Sequence, residues 1–137
     1  LKLIAIPITE EALKASAHHW LRFLPMIARR SKEPLPTLIA RVMRKEIRLG
    51  LIWDEVADEA KALVGIRLHY RGDDLIAEWL WMAGHGRAQW QHLLPELENM
   101  LRDAGVKECR PLCRPGWSQL LKQHGYRITH IEMEKVL

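Results

Sequence analysis

Only two of the 137 residues are cysteines, Cys109 and Cys113. That is too few for a disulfide scaffold, and no second Cys or Cys/His pair sits at zinc-ligand spacing. Two reduced thiols near a strand end are expected. No apolar run approaches the roughly 20 residues needed to span a bilayer as a helix. The opening Leu1-Lys2-Leu3-Ile4-Ala5-Ile6 is too short for a signal-peptide core and has no small-residue cleavage site. A cytoplasmic protein with no membrane contact is expected. There are no internal repeats, no low-complexity stretch and no long linker, so residues 1–137 read as one domain. Phenylalanine is nearly missing, one against six tryptophans. A strong excess of charge is missing too. The net charge is +4, which permits an anionic ligand without requiring nucleic acid.

What is present is a clear alternation of strand and helix patterns. Leu1 to Ile6 predicts a strand ended by Pro7. Thr9 is placed to cap a helix, with Glu10 and Glu11 in its first turn, where the helix dipole favours carboxylates. Ala12, Leu13, Ala17, Trp20, Leu21 and Leu24 follow at helical spacing, and Pro25 is expected to kink or end that helix. A second helix is predicted from about Pro36 to Leu49, closed by Gly50. Strands are then predicted over 51–56, 63–70 and 75–82, the last two joined by Arg71-Gly72-Asp73-Asp74. Strict alternation puts Glu78, Leu80 and Met82 on one face and Trp79 and Trp81 on the other. A long helix over 88–104 follows, with Pro95 an irregularity in it and Gly105 at its end. A strand over 106–112, a short helix over 116–124 and a closing strand over 128–136 complete the chain.

Arg41, Arg44, Lys45 and Arg48 would form one basic face on the predicted second helix. A solvated face explains it, and aromatics are not interleaved as a single-strand nucleic-acid platform requires. Nucleic acid is therefore not the expected partner. His18-His19 lacks a third ligand at metal spacing, so no metal is expected. The tryptophans fit either a core or a ligand cleft. Trp117, beside Gly116 at a helix start, fits a core least.

The order strand, two helices, three-strand meander, helix, strand, helix, strand resembles the GNAT superfamily of N-acyltransferases over nearly the whole chain. Ala62-Leu63-Val64-Gly65-Ile66 resembles its third-strand pattern. Leu93-Leu94-Pro95-Glu96-Leu97 through Arg102-Asp103-Ala104-Gly105 resembles its long helix, and Lys122-Gln123-His124-Gly125-Tyr126 its end-of-helix turn. The resemblance implies an α/β (α+β) fold: a mixed, mostly antiparallel sheet flanked by helices. A narrower resemblance is to a GNAT-like group of bacteriophages, prophages and gene transfer agents. It rests on Trp79-Leu80-Trp81-Met82-Ala83-Gly84, Trp90, Cys109-Arg110-Pro111-Leu112 and Arg114-Pro115-Gly116-Trp117.

The family resemblance implies acetyl-CoA or another acyl-CoA as the cofactor. Its phosphate loop would fall at Gly86, Arg87 and Ala88, where helix-start donors meet a pyrophosphate. Ala88 and Trp90 replace small residues of the family pattern, so the loop is degraded. Backbone donors around Met82, Ala83 and Gly84 would face the acyl carbonyl. The family's general-acid tyrosine falls at Leu121, which carries no proton to give, and Tyr126 sits where a packing aromatic belongs. Glu78 is the one candidate general base on its strand, or else it is paired with an arginine or faces solvent. Two functions stay open. One is transfer of an acyl group to a small-molecule or protein amine. The other is a non-enzymatic phage or prophage accessory protein that kept the fold and contacts a virion structural protein.

Overall fold

The computed structural model of the chain describes residues 1–85, 90–113 and 115–137. A five-stranded sheet organises it, in the order β1-β2-β3-β4-β5. The strands are β1 (Lys2–Ala5), β2 (Arg48–Asp54), β3 (Glu59–Arg71), β4 (Asp74–Gly84) and β5 (Val106–Pro111). The first four pair antiparallel in sequence, and β5 adds to β4 in parallel. The expected mixed, mostly antiparallel sheet flanked by helices is what forms.

Helices α1 (Glu10–Trp20), α2 (Leu24–Ser31) and α3 (Leu35–Met43) cover one face. Helices α4 (Leu94–Asp103) and α5 (Pro115–Gln123) cover the other. Two apolar layers result. Leu13, Trp20, Leu24, Leu38 and Val42 pack with Leu49, Leu51, Leu63 and Trp81 on the first face. Leu93, Leu94, Leu97 and Leu121 pack with Ile52, Val64, Ile66 and Trp79 on the second. No described helix is long and apolar enough to cross a membrane.

Local chemistry sets the element ends. Thr9 Oγ1 accepts from the Ala12 N–H at 3.1 Å, which caps α1 as its sequence predicts. Pro25 and Pro95 each fall in the first turn of a helix, α2 and α4, where a missing N–H is harmless. A short 3₁₀ turn precedes each, over Leu21–Phe23 and Gln91–Leu93. The prolines thus start helices rather than kink longer ones, and the expected long helix over 88–104 is confirmed only from Leu94 to Asp103.

Three expectations are corrected. The second helix stops at Met43, not Leu49. Ile47, Leu49 and Leu51 alternate inward at period two, and a ladder to β1 and β3 on both sides makes 48–54 a central strand. Gly50 therefore pairs with Ala5 and Val64 instead of capping a helix. The basic helix face dissolves with it. Arg41 turns inward to Glu33 and Glu46, Arg44 pairs with Glu46, and Arg48 opens β2.

The closing strand does not form either. Residues 126–137 carry no strand, and Ile131, Met133 and Val136 stand exposed. Ile131 and Met133 alternate with Glu132 and Glu134 as a half-buried strand would, but none of the five strands pairs with the segment. Glu134 instead approaches Lys32 at 3.8 Å in solvent.

The third correction is a bulge. Ile66 opposes Trp79 and Gly65 opposes Trp81, which leaves Leu80 as the extra residue on β4. The phase of the strand changes there. Trp79 packs on the α4–α5 face, whereas Leu80 and Trp81 both pack on the α1–α3 face. Trp79 and Trp81 are thus on opposite faces. The Trp79 indole N–H donates to the Trp81 carbonyl at 3.0 Å, which ties the two sides of the bulge together.

Gly65 makes room for this. A Cβ there would lie 2.7 Å from Trp81 Cε3 and 2.9 Å from Trp81 Cβ. Gly65→Ala is expected to tilt the indole and lower stability by about 1–3 kcal/mol, the usual cost of overpacking. Denaturant unfolding followed by tryptophan fluorescence checks it. An unchanged midpoint and native spectrum would show that the ring has slack.

Candidate active site

The bulge is also where the sheet opens. β4 and β5 pair from Leu75 opposite Val106 to Trp79 opposite Pro111. One more bond, from the Leu112 N–H to the Trp79 carbonyl at 2.9 Å, ends the contact. β4 then runs on to Gly84 without β5 beside it. The strands part where β4 bends at the Leu80 bulge.

A cleft of about 370 Å³ fills the gap. It reaches both faces of the sheet. Trp79, Met82, Trp117 and Leu121 line it on the α4–α5 side. Arg30, Glu33, Arg41, Arg67 and Trp81 line it on the α1–α3 side. Pro111, Leu112 and Cys113 form the β5 lip.

The exposed edge of β4 is polar backbone. His85 N–H donates to the Lys61 carbonyl at 3.1 Å, so residues with groups aimed at β3 alternate from that point. Met82, opposite Val64, consequently directs its N–H and carbonyl away from β3. The Arg30 guanidinium confirms this direction, since Nη1 donates to the Met82 carbonyl at 3.1 Å. Ala83 is buried on the α1–α3 face. Gly84 has φ +149°, and a Cβ on it would meet the Lys61 carbonyl oxygen at 2.3 Å. Of these three, Met82 lines the cleft, with its side chain on the α4–α5 bank and its backbone groups at the open edge, whereas Ala83 and Gly84 do not line it.

Glu78 lies on the α1–α3 side, two residues before the bulge. Its Oε2 accepts from Arg67 Nη2 at 2.6 Å. His69 Nδ1 comes within 3.0 Å of Oε1, yet the approach is poorly directed and leaves that nitrogen without a proper hydrogen bond. Arg67 lines the cleft and Glu78 does not, so the carboxylate stands one side chain behind the wall. Of the alternatives its sequence left open, the arginine partner is present.

Gly86, Arg87 and Ala88 lie outside the described residues. The segment's two flanks are fixed. His85 is tied to Lys61, and the buried Trp90 donates its indole N–H to the His85 carbonyl at 3.2 Å. Trp117 stacks on Trp90 with centroids 5.6 Å apart and meets Trp79 edge-on at 6.4 Å. Three tryptophans distant in sequence therefore form one aromatic wall beside the cleft.

Other candidates fall away from the chemistry. Leu121 lines the cleft as an apolar group. Tyr126 packs under α4, donates to Glu98 at 2.9 Å, and burial pushes its hydroxyl well above the ordinary range. Cys109 and Cys113 are both free thiols. Burial pushes both of them up, so neither is activated as a nucleophile. Among the described residues, no group of histidine, cysteine, aspartate and glutamate side chains is arranged to hold a metal ion.

The arginines of the cleft were not assigned to it by sequence reasoning. Arg41 stood out only as part of a predicted basic helix face. Arg67 had a usable signal: counting back equally from the Arg71–Asp74 turn puts it opposite Glu78.

Comparison with known proteins bears on the architecture. No protein-family model matches the sequence, and no curated protein sequence matches it either. Solved structures do match. The chain superposes on a Trypanosoma brucei acetyltransferase with TM-score 0.68 at 12% identity, covering 99% of each chain. It superposes on glucosamine-6-phosphate N-acetyltransferase from Arabidopsis thaliana with TM-score 0.65 at 10% identity, covering 98% of this chain and 97% of that one. The fold is GNAT-like. A soil-metagenome aminoglycoside acetyltransferase, solved in complex with sisomicin, gives TM-score 0.63 at 11% identity, covering 99% of this chain and 95% of that one. At these identities the likeness is one of fold.

Proposed function

We propose that the chain is an acyl-CoA-dependent N-acyltransferase that passes an acetyl group to an amine. The observation that carries this reading is the split between β4 and β5. It leaves a strand edge with outward backbone groups along a cleft of about 370 Å³, a size typical of small-ligand sites. An amide-bearing ligand arm can add to such an edge as an extra strand would. The acetyltransferase-like fold supports the same reading.

The coenzyme supplies an acyl carbonyl activated as a thioester. Backbone donors near Met82 to Gly84 polarise that carbonyl. Gly86, Arg87 and Ala88 meet the pyrophosphate. The amine nitrogen attacks the carbonyl carbon, a C–N bond forms and the C–S bond breaks. Glu78 accepts the ammonium proton, directly or through a water. The thiolate leaves without an acid from this chain, since Leu121 stands where one would be, and takes its proton from solvent.

Calorimetric titration with acetyl-CoA and with free CoA tests the reading. Micromolar binding is expected, weakened about tenfold by Arg87→Ala through loss of a charge-assisted phosphate contact. No binding at millimolar ligand would remove the enzyme and leave the alternative, a phage or prophage accessory protein that kept only the fold.

A further inference from the structure

The two banks of the cleft differ in chemistry. The α4–α5 bank is aromatic and aliphatic, with Trp79, Met82, Trp117 and Leu121. The α1–α3 bank is cationic. Arg30 from α2, Arg41 from α3 and Arg67 from β3 reach it from three separate elements, against one lining carboxylate, Glu33. Arg41 is committed to the fold. It lies over the Trp81 ring at 5.7 Å and bridges Glu33 and Glu46. Arg30 and Arg67 flank it, one on the Met82 carbonyl at the β4 edge and one on Glu78.

We infer that the acceptor is an amine that also carries an anionic group, a carboxylate or a phosphate, held by Arg30 and Arg67. The inference rests on the acyltransferase reading and deepens it. Two reactants that meet in a gap through a sheet approach from opposite faces. The loop expected to hold the coenzyme phosphates follows β4 and leads into α4, so the coenzyme takes the α4–α5 face. The acceptor is left with the arginine bank. Glu78 is on that bank too, ion-paired to Arg67. An anion on Arg67 places the rest of the acceptor beside the carboxylate that takes its proton.

The test uses matched amines: glycine against glycinamide, and 2-aminoethyl phosphate against ethanolamine. Each is titrated by calorimetry into the protein saturated with CoA, and turnover of each is read as thiol release from acetyl-CoA. At least one anionic member is expected to bind at least about tenfold more tightly than its neutral partner, as loss of a charged hydrogen bond implies. Which pair discriminates identifies carboxylate or phosphate. In Arg30→Gln and in Arg67→Gln the ratio is expected to fall toward one. Melting curves of both variants must match the unaltered protein. Equal binding within both pairs, tighter binding of the neutral members, or no binding of any anionic member would overturn the inference. Absence of CoA binding in the same calorimeter would instead remove the acyltransferase reading beneath it.

Discussion

Gly84→Ala is expected to destabilise the fold by about 3–5 kcal/mol, more than any other single methyl group added to the sheet. Two effects combine. A side chain at φ +149° is strained by roughly 1–3 kcal/mol wherever it stands. The added Cβ would also sit 2.3 Å from the Lys61 carbonyl oxygen and 2.5 Å from Ala62 Cα. Those are backbone atoms of β3, so no rotamer change relieves the contact, and overpacking adds a similar amount. The neighbouring His85 N–H to Lys61 bond would be forced open with it. Urea unfolding of the two proteins measures the difference. A midpoint within error of the unaltered protein would show that β4 ends differently from this description.

The same residue illustrates how far the sequence could be read. A glycine between a strand and a helix announces a turn, and Gly84 is the last residue of β4. That its reason is contact with a neighbouring strand needs the register of β3 and β4, which sequence alone leaves free. The meander, the capped α1 and the glycine-terminated α4 and α5 were legible because each rests on local chemistry: alternation, Thr9, and glycine after the last turn. Residues 44–50 were misread for the same reason. Arg44-Lys45-Glu46 favours a helix locally, and only pairing of β2 on both sides makes the strand win. The segment 128–136 failed in the other direction. Its apolar residues suggest a strand, but a strand needs a neighbour, and none of the five accepts it.

The candidate site was half legible. Met82, Ala83, Gly84 and Glu78 were named along one strand, and of these Met82 lines the cleft. The bulge at Leu80 was not, since an extra residue leaves no mark in a period-two pattern that already contains tryptophans at 79 and 81. Without the bulge, Trp81 would join Trp79 against α5, and Arg41 would have no ring to lie on. The cationic bank was missed with it. Arg30, Arg41 and Arg67 are far apart in the chain and meet only because α2, α3 and β3 converge at the split.

Glu78→Gln separates the two roles open to that carboxylate. As a proton acceptor Glu78 is expected to contribute roughly 10²–10⁴-fold to the rate. Glutamine keeps the shape and can still accept a hydrogen bond from Arg67, but it takes no proton at neutral pH. The expected result is a fall in kcat of at least about a hundredfold, with acetyl-CoA affinity unchanged because the coenzyme site proposed above is on the other face. Stability should change little. The Arg67 guanidinium is 45% exposed, and solvent screens such a pair to about 1 kcal/mol or less. Thiol-release kinetics, calorimetry and a melting curve on the one variant distinguish the outcomes. Full activity would reduce Glu78 to an anchor for Arg67 and leave a water in the cleft as the proton acceptor. Lost activity with lost coenzyme affinity would point to collapse of the cleft rather than removal of a base. Only loss of rate alone fits a proton-accepting carboxylate held one side chain behind the wall and ion-paired to Arg67.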